Sequence, residues 1–118
     1  MNTIELQANL LQFTGTEKYY RITNRHLLTD GTKYLAENAE CFWLMTAVAS
    51  HLPKQFHDYF AVVNLTVKNS SAQLTLDDGN GNIFAQQFIE YTDFPLSELK
   101  LYCGFDGEYW VLMLPSEY

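Results

Sequence analysis

The stretch LTLDDGNGNIF, residues 74–84, holds the densest group of side chains that could bind a cation or a phosphate. An EF-hand loop needs charged ligands at its first and twelfth positions. With Gly81 at the sixth position, those two places hold Leu76 and Gln87, and a phosphate-binding Gly-Lys-Ser/Thr sequence is absent. Because Asn and Gly favour tight hairpins, the sequence predicts that residues 77–82 form an exposed hairpin turn that binds no divalent cation.

The histidines and cysteines do not have the spacing of a catalytic or metal site. His51, His57 and the adjacent Asp58 offer too few ligands for zinc, at an irregular spacing. Cys41 lies in an apolar run and Cys103 on a predicted strand, so both are expected to be buried, unreactive thiols. We therefore predict no catalytic residues, no metal and no cofactor, and we favour a protein without enzymatic activity.

Hydrophobic periodicity divides the chain at Pro53. Before it, apolar residues recur at helical spacing, as Ile4, Ala8 and Leu11 do in the first segment. Cap signals stand at residues 2–3 and 29–30, and a break near residues 38–40 could split the later segment in two. After Pro53 the period changes to two, which predicts five candidate strands separated by turn signals.

These patterns predict a single α+β domain over residues 1–118, helical over 1–52 and β-rich over 53–118. The expected architecture has N-terminal helices packed on one face of a four- to five-stranded antiparallel meander sheet. One core is expected to contain Leu44, Val48, Leu65, Leu74 and Val111.

The formal net charge of -7 is concentrated in the second half of the chain. Residues 1–59 carry six acids and five bases, whereas residues 60–118 carry eight acids and two bases. This balance argues against nucleic acid as a direct partner, because phosphate binding needs clustered Lys and Arg. The acids can serve solubility alone, or they can form a surface that binds a basic protein partner. The candidate interaction surface comprises Asp77, Asp78, Glu90, Asp93, Asp106 and Glu108.

Apolar segments and cysteine usage indicate the compartment. No apolar run approaches the ~18 residues that span a bilayer, and the first ten residues lack the features of a signal peptide. Two distant cysteines are typical of reduced thiols. We expect a cytoplasmic protein that does not contact a membrane, and the sequence leaves its oligomeric state open.

Six segments together give the chain a resemblance to a known family over nearly its whole length. They are FTGTEKYY, TDGTKYLAE, FWLMTAVASH, LTLDDGNGN, EYTDFPL and the terminal VLMLPSEY. The chain resembles an uncharacterised family of small proteins that occur in bacteria, cyanobacteria in particular, and on phages and other mobile elements. The resemblance implies a domain of unknown function and a compact accessory protein, but no activity and no site residues.

Two functional hypotheses follow. The first is a small, acidic protein of a phage or mobile element that acts through protein–protein interaction, for example as an inhibitor of a host defence complex such as a CRISPR effector. Its acids would then occupy a basic groove by resembling phosphate. The second is a small-molecule-binding domain or minor enzyme. Its aromatic-lined cleft, between helix and sheet, would be formed by Tyr34, Trp43, His51 and Tyr91.

Overall fold

A computed structural model describes residues 2–53 and 59–118. Within these residues the chain forms three α-helices and one mixed sheet of seven strands, which confirms the α+β class. The elements are α1 (Thr3–Leu10), β1 (Tyr20–Arg21), β2 (His26–Leu28), α2 (Asp30–Asn38), α3 (Phe42–His51), β3 (Phe60–Lys68), β4 (Ser71–Asp77), β5 (Ile83–Ile89), β6 (Glu98–Phe105) and β7 (Trp110–Met113). A short 3-10 turn, Pro115–Glu117, follows β7.

The predicted helix starts are confirmed. The Asn2 side chain accepts a hydrogen bond of 2.8 Å from the Glu5 N–H, and Thr29 caps α2. The predicted break lies between α2 and α3. The apolar spacing of α1 does not mark its buried side, however, because Ile4 is 77% exposed while Leu6 is buried. Leu6 and Leu10, one turn apart, are the residues of this helix that pack against the core.

Two short strands lie in the segment that was predicted to be helical, so the sheet has seven strands rather than four or five. β1 pairs with β2 in antiparallel orientation, and β2 adds to β7 in parallel, with His26 opposite Trp110. Strands of two and three residues are too short to show an alternating pattern. The helical assignment of residues 1–52 is therefore wrong for residues 20–28.

The predicted meander is wrong beyond β5. The strand order is β1-β2-β7-β6-β3-β4-β5, and β6 pairs with β3 instead of with β5. The order β6-β3-β4-β5 is that of a Greek key. The connection over residues 90–97 runs back past the β3–β4 turn, where the Thr92 N–H donates to the Ser70 carbonyl at 2.8 Å, and it buries Phe94 and Leu96. This path leaves β5 at the edge of the sheet.

Side chains alternate between a buried face, on which the helices pack, and an open face. In β3 the buried positions are Ala61, Val63 and Leu65, and they join residues of all three helices in one apolar cluster. The intervening positions, such as Val62, form the open face. Of the five expected core residues, four are buried; Val111 is wrong, because it alternates with buried Trp110 and Leu112 and lies on the open face.

Candidate functional site

The six acids of the candidate interaction surface lie at two opposite ends of the sheet. Asp77, Asp78, Asp106 and Glu108 lie in or beside the β4–β5 and β6–β7 turns, whereas Glu90 and Asp93 lie in the β5–β6 connection. Strand pairing brings the two turns to the same end, since Val62 pairs with Asp77 and Phe60 with Gly104. Only β3 separates them, so they are roughly 10 Å apart. We call this end, with its four acids, the acidic end.

The β4–β5 turn is organised by its own carboxylates, which confirms the predicted hairpin. Asp78 accepts hydrogen bonds from the Asn80 N–H at 2.9 Å and from the Asn82 side chain at 2.9 Å. Asp77 accepts from the Gly79 N–H at 2.7 Å. The bond from the Asn82 side chain is the main reason why the pKa of Asp78 is below its usual value. That this turn binds no divalent cation stays a prediction.

The β6–β7 turn has the same construction. One carboxylate oxygen of Asp106 accepts the backbone N–H of Tyr109 at 2.7 Å and that of Glu108 at 2.8 Å. The Tyr109 N–H is the larger cause of a lowered pKa at Asp106. Gly107 provides the positive φ of 98° that the turn requires. Reversing the charge at Asp106 would therefore also remove a hydrogen-bonded turn, whereas Glu108 can be changed without that effect.

Between the two turns, the open face carries three aromatic rings in mutual contact. The ring centroids of Phe60 and Tyr102 are 5.1 Å apart, and Tyr118 lies 5.2 Å from the first and 5.5 Å from the second. All three pairs are edge-to-face, the arrangement that aromatic quadrupoles favour. We call Phe60, Val62, Tyr102, Met113 and Tyr118 the open-face patch.

A depression lies on each side of the patch, and both are lined by Phe60 and Tyr118. The first, of about 530 Å³, also contains Asp77 and Lys100. The second, of about 490 Å³, contains Asp106. Each depression thus combines aromatic rings with a carboxylate, and the first is also lined by the positively charged side chain of Lys100. Both volumes lie within the range of roughly 300–1,000 Å³ that is usual for ligand pockets.

The start of α2 is bound by a residue from the far end of the chain. The Glu117 carboxylate accepts hydrogen bonds from the Thr29 hydroxyl at 2.6 Å and from the Gly31 N–H at 3.0 Å. A carboxylate is stabilising at this position, because the first N–H groups of a helix have no partner within it. A Cβ atom at Gly31 would lie 2.6 Å from Glu117 Oε1, so glycine leaves the room for this contact. We call these contacts the Glu117 cap.

A second contact ties the segment before β1 to the same helix. Asp30 accepts hydrogen bonds from the Glu17 N–H at 2.9 Å and the Tyr20 hydroxyl at 3.0 Å, and its own N–H donates to Thr16. The Glu17 N–H is the main cause of the lowered pKa of Asp30. Three of the segments that carried the family resemblance, FTGTEKYY, TDGTKYLAE and VLMLPSEY, therefore meet around the start of α2.

The residues proposed for a cleft between helix and sheet make separate contacts. Tyr34 accepts a hydrogen bond of 2.9 Å from Asn9. His51 bonds Gln87 on β5 at 2.8 Å, while Tyr91 is 74% exposed beyond that strand. Trp43 is partly buried against the core. The two depressions described above lie on the opposite face of the sheet from the helices.

Both thiols are buried and free. Burial raises the pKa of Cys41 to about 12, and it raises the pKa of Cys103 as well. Among residues 2–53 and 59–118, no group of three or more His, Cys, Asp and Glu side chains is placed to hold a metal ion. His57 and Asp58 lie outside the described residues. No helix within the described part of the chain is long and apolar enough to cross a membrane.

Sequence reasoning missed the open-face patch. A signal for Tyr102 was present, because it stands between Leu101 and Cys103 in an alternating strand and so must face away from the core. The same argument applies to Phe60 beside Ala61. Tyr118 gave no such signal, because it follows the last strand and its position depends on the 3-10 turn before it.

The chain belongs to a family of unknown function, described as "Family of unknown function (DUF6876)", whose model matches residues 4–118. No curated protein matches the sequence. A crystal structure of a protein of unknown function from Enterococcus faecalis is similar to this chain, at 15% sequence identity. The match covers 83% of this chain and 93% of that chain, with a TM-score of 0.49. Neither match names an activity.

Proposed function

We propose that this protein is a non-enzymatic binding protein, and that the open-face patch and the acidic end together contact a protein partner with basic residues. The observation that carries this proposal is the position of Asp77, Asp78, Asp106 and Glu108 on either side of three partly or fully exposed aromatic rings. An aromatic centre with a charged rim is the usual composition of a protein–protein interface.

The aromatic cluster supports a binding role because the helices do not cover it. The helices cover only the other face, and Tyr118 is 79% exposed although it packs on Phe60 and Tyr102. Tyrosine is among the residues that contribute most to binding energy at interfaces, since its ring is large and rigid and its hydroxyl can still hydrogen-bond. We therefore propose that Tyr102 and Tyr118 form the centre of the interface.

Charge favours a basic group of the partner in the second depression. The residues that line it include Asp106 and Tyr118, whereas the first depression also holds Lys100, which repels a cation. A Lys or Arg side chain in the second depression would meet a carboxylate and the face of a ring, which attracts cations. The lowered pKa of Asp106 keeps this carboxylate ionised well below neutral pH.

The setting in which the protein acts is also a proposal. The concentration of negative charge in residues 60–118 is compatible with an accessory protein of a phage or mobile element that occupies a basic groove of a host defence complex, such as a CRISPR effector. Attraction of this kind mainly raises the association rate, and salt screens it over about 8 Å at physiological ionic strength.

A matched pair of neutralised variants tests the charge argument. Asp106→Asn with Glu108→Gln removes two charges from the acidic end, and Asn keeps the oxygen that organises the turn. Glu90→Gln with Asp93→Asn removes two charges from the other end. After affinity purification of the partner from the natural host, we expect the first variant to associate about two- to tenfold more slowly at low salt. The second variant should resemble the wild type.

The aromatic centre is tested with a second pair. Tyr102→Ala should weaken partner binding by at least about tenfold, whereas Tyr91→Ala, at an exposed site of the opposite end, should not. Melting temperatures of both variants serve as the control for folding. If the partner bound all four variants as tightly and as fast as the wild type, the proposed interface would be wrong.

A second candidate function is supported by the first depression. Its volume of about 530 Å³ suits a small molecule, and it presents Asn64, Asp77, Lys100 and Tyr102 as polar groups. We propose this site, in place of the cleft between helix and sheet, for any small-molecule ligand. A thermal-shift screen with a metabolite panel tests it: a stabilising ligand must lose its effect in Lys100→Ala and keep it in Lys68→Ala.

A further inference from the structure

The two edges of the sheet differ in a way that points to self-association. At one edge, β1 has two residues, one of them Arg21. At the other edge, β5 has seven residues, IFAQQFI, without a charge or a proline. Its side chains Ile83 and Phe88 are 58% and 61% exposed. Proteins usually protect such an edge with Lys, Pro or a covering element, because its backbone can pair with another strand.

The hydrogen-bond pattern shows which backbone groups of β5 point to the free edge. The Asn69–Ser70 turn has two residues with positive φ, so Lys68 and Ser71 close the β3–β4 hairpin as a hydrogen-bonded pair. Successive residues of β4 therefore direct their backbone N–H and C=O groups alternately toward β3 and toward β5, and the residues of the buried face direct theirs toward β5. Gln87, opposite Leu74, therefore uses its backbone groups toward β4, whereas Gln86 directs its own outward.

The sequence of β5 is nearly a palindrome about Gln86. In an antiparallel pair of two β5 strands with a two-fold axis at this residue, Ile83 meets Ile89 of the partner subunit and Phe84 meets Phe88 of the partner subunit. We propose that this chain forms a homodimer in which the β5 strands pair in this register and join two seven-stranded sheets into one. The occupant of the edge is thus a second copy of the chain.

Side chains favour this register over a pairing shifted along the strand. This register sets Phe84 against the partner's Phe88, and cross-strand aromatic pairs stabilise sheets. The strand has no charge of its own, whereas acids lie at both of its ends, Asp77 and Asp78 before it and Glu90 after it, so salt should favour the pairing. A two-fold axis uses the same edge of both copies, so the assembly closes at two. The bulge between Leu76 and Asp77 lies opposite Phe84, so the regular part of the pair is centred on the three residues from Ala85 to Gln87.

The consequence for binding is bivalence. Both open faces would lie on the same side of the joined sheet, because adjacent antiparallel strands keep a common pleat. The dimer would then present two copies of the open-face patch, related by the two-fold axis. A partner with two binding sites would be held more tightly than by either copy alone. The dimer itself does not depend on the function proposed above, because it needs no partner.

Single cysteines placed on β5 test the register directly. Gln86→Cys puts a thiol at the two-fold axis, where the Cα atoms of a hydrogen-bonded pair are about 5.5 Å apart, within the range of a disulfide. Gln87→Cys is the matched control, because its Cα atoms would be roughly 8 Å apart in this register, which is too far. The native Cys41 and Cys103 are buried and need no replacement. Under mild oxidation, Gln86→Cys should form a covalent dimer at least about tenfold faster than Gln87→Cys.

Sedimentation of the wild type and two lysine variants tests the dimer without cross-linking. Phe88→Lys introduces a charge beside the axis and should raise the dimer dissociation constant at least about tenfold. Thr66→Lys adds the same charge on the open face of β3, away from the edge, and should leave the constant unchanged. A wild type that stays monomeric up to about millimolar concentration would overturn the proposal. Equal cross-linking of the two cysteine variants would overturn the register. In the first case the edge would remain open to a strand of another protein.

Discussion

The Glu117 cap and the open-face patch begin at neighbouring residues and use their side chains in opposite ways. Glu117 turns inward to bond Thr29 and Gly31, while Tyr118 turns outward to pack on Phe60 and Tyr102. The cap is a set of short hydrogen bonds beside buried residues, whereas the patch is a set of ring contacts open to solvent. Glu117 therefore contributes to the stability of the fold, and the next residue, Tyr118, contributes to an exposed surface.

Three of the six segments that carry the family resemblance meet at the start of α2. The segments that carried it supply Thr16, Asp30, Gly31 and Glu117 to contacts that hold the fold together. Their role at the start of α2 needs no ligand to explain it. Of the patch, Phe60, Val62 and Tyr102 lie outside those segments, whereas Met113 and Tyr118 lie within VLMLPSEY. The resemblance alone therefore does not separate residues that stabilise the fold from residues that form the open face.

The largest effect is expected for Glu117→Ala. It removes three charge-assisted hydrogen bonds, from the Thr29 hydroxyl and from the N–H groups of Gly31 and Leu114. Because the buried Thr29 hydroxyl also loses this acceptor, the free energy of unfolding should fall by about 2–4 kcal/mol. Glu98→Ala, at an exposed position of β6, is the control and should change it by less than about 0.5 kcal/mol. Denaturant unfolding measures both. If the two variants were equally stable, the cap would not be what holds this end of the chain.

A smaller effect is expected for Gly31→Ala. Its new Cβ would lie 2.6 Å from both Glu117 Oε1 and Leu114 Cδ1, so the cap must shift, at a cost of about 1–3 kcal/mol. Gly15→Ala is the matched control, because nothing lies within 4 Å of its Cβ position. Thermal unfolding should show a lower melting temperature for the first variant and little change for the second. The opposite order would mean that Gly31 is not tightly enclosed.

The smallest effect concerns the pH dependence of the acidic end. A carboxyl whose pKa is lowered by folding stabilises the protein above its unfolded pKa, near 3.8, and this contribution is lost as the pH falls through the lower folded value. Asp106→Asn removes the titration but keeps the hydrogen-bonding oxygen. Its melting temperature should therefore fall less than that of the wild type between pH 5 and about pH 2. Glu90→Gln is the control for the loss of one charge, and an equal fall in all three proteins would contradict the assignment.

The sequence was sufficient where a pattern was long and local. Five strands, the α2 start at Thr29 and the turn after Asp77 were predicted, because periods of two, cap residues and Asn-Gly turns act over a few residues. The predictions that were wrong concern strand pairings between residues far apart in the sequence. β2 exists because β7 pairs with it, and β6 reaches β3 because the connection buries Phe94 and Leu96. No local pattern contains this information.

The candidate site shows the same limit. Charge counting found the acids, but it treated six residues as one surface, and the sheet separates Glu90 and Asp93 from the other four. It also could not show that Asp78 and Asp106 already bind backbone N–H groups of their own turns. The aromatic rings of the open-face patch were part of no predicted site, because only the pairing of β3 with β6 and the 3-10 turn after β7 bring them together.

The pairing of β2 with β7 has a consequence for synthesis in the cell. Chains emerge from their N-terminus, and a two-stranded hairpin such as β1–β2 is at best marginally stable alone. The hairpin is completed by its pairing with β7, near the end of the chain. The hydrogen bond between Thr29 and Glu117 likewise joins residues 88 positions apart. The backbone hydrogen bonds of the first third of the protein therefore remain incomplete until the last strand has been synthesised. Folding of the nascent chain is expected to be one late event, and in that interval the early segment is the natural substrate for a chaperone.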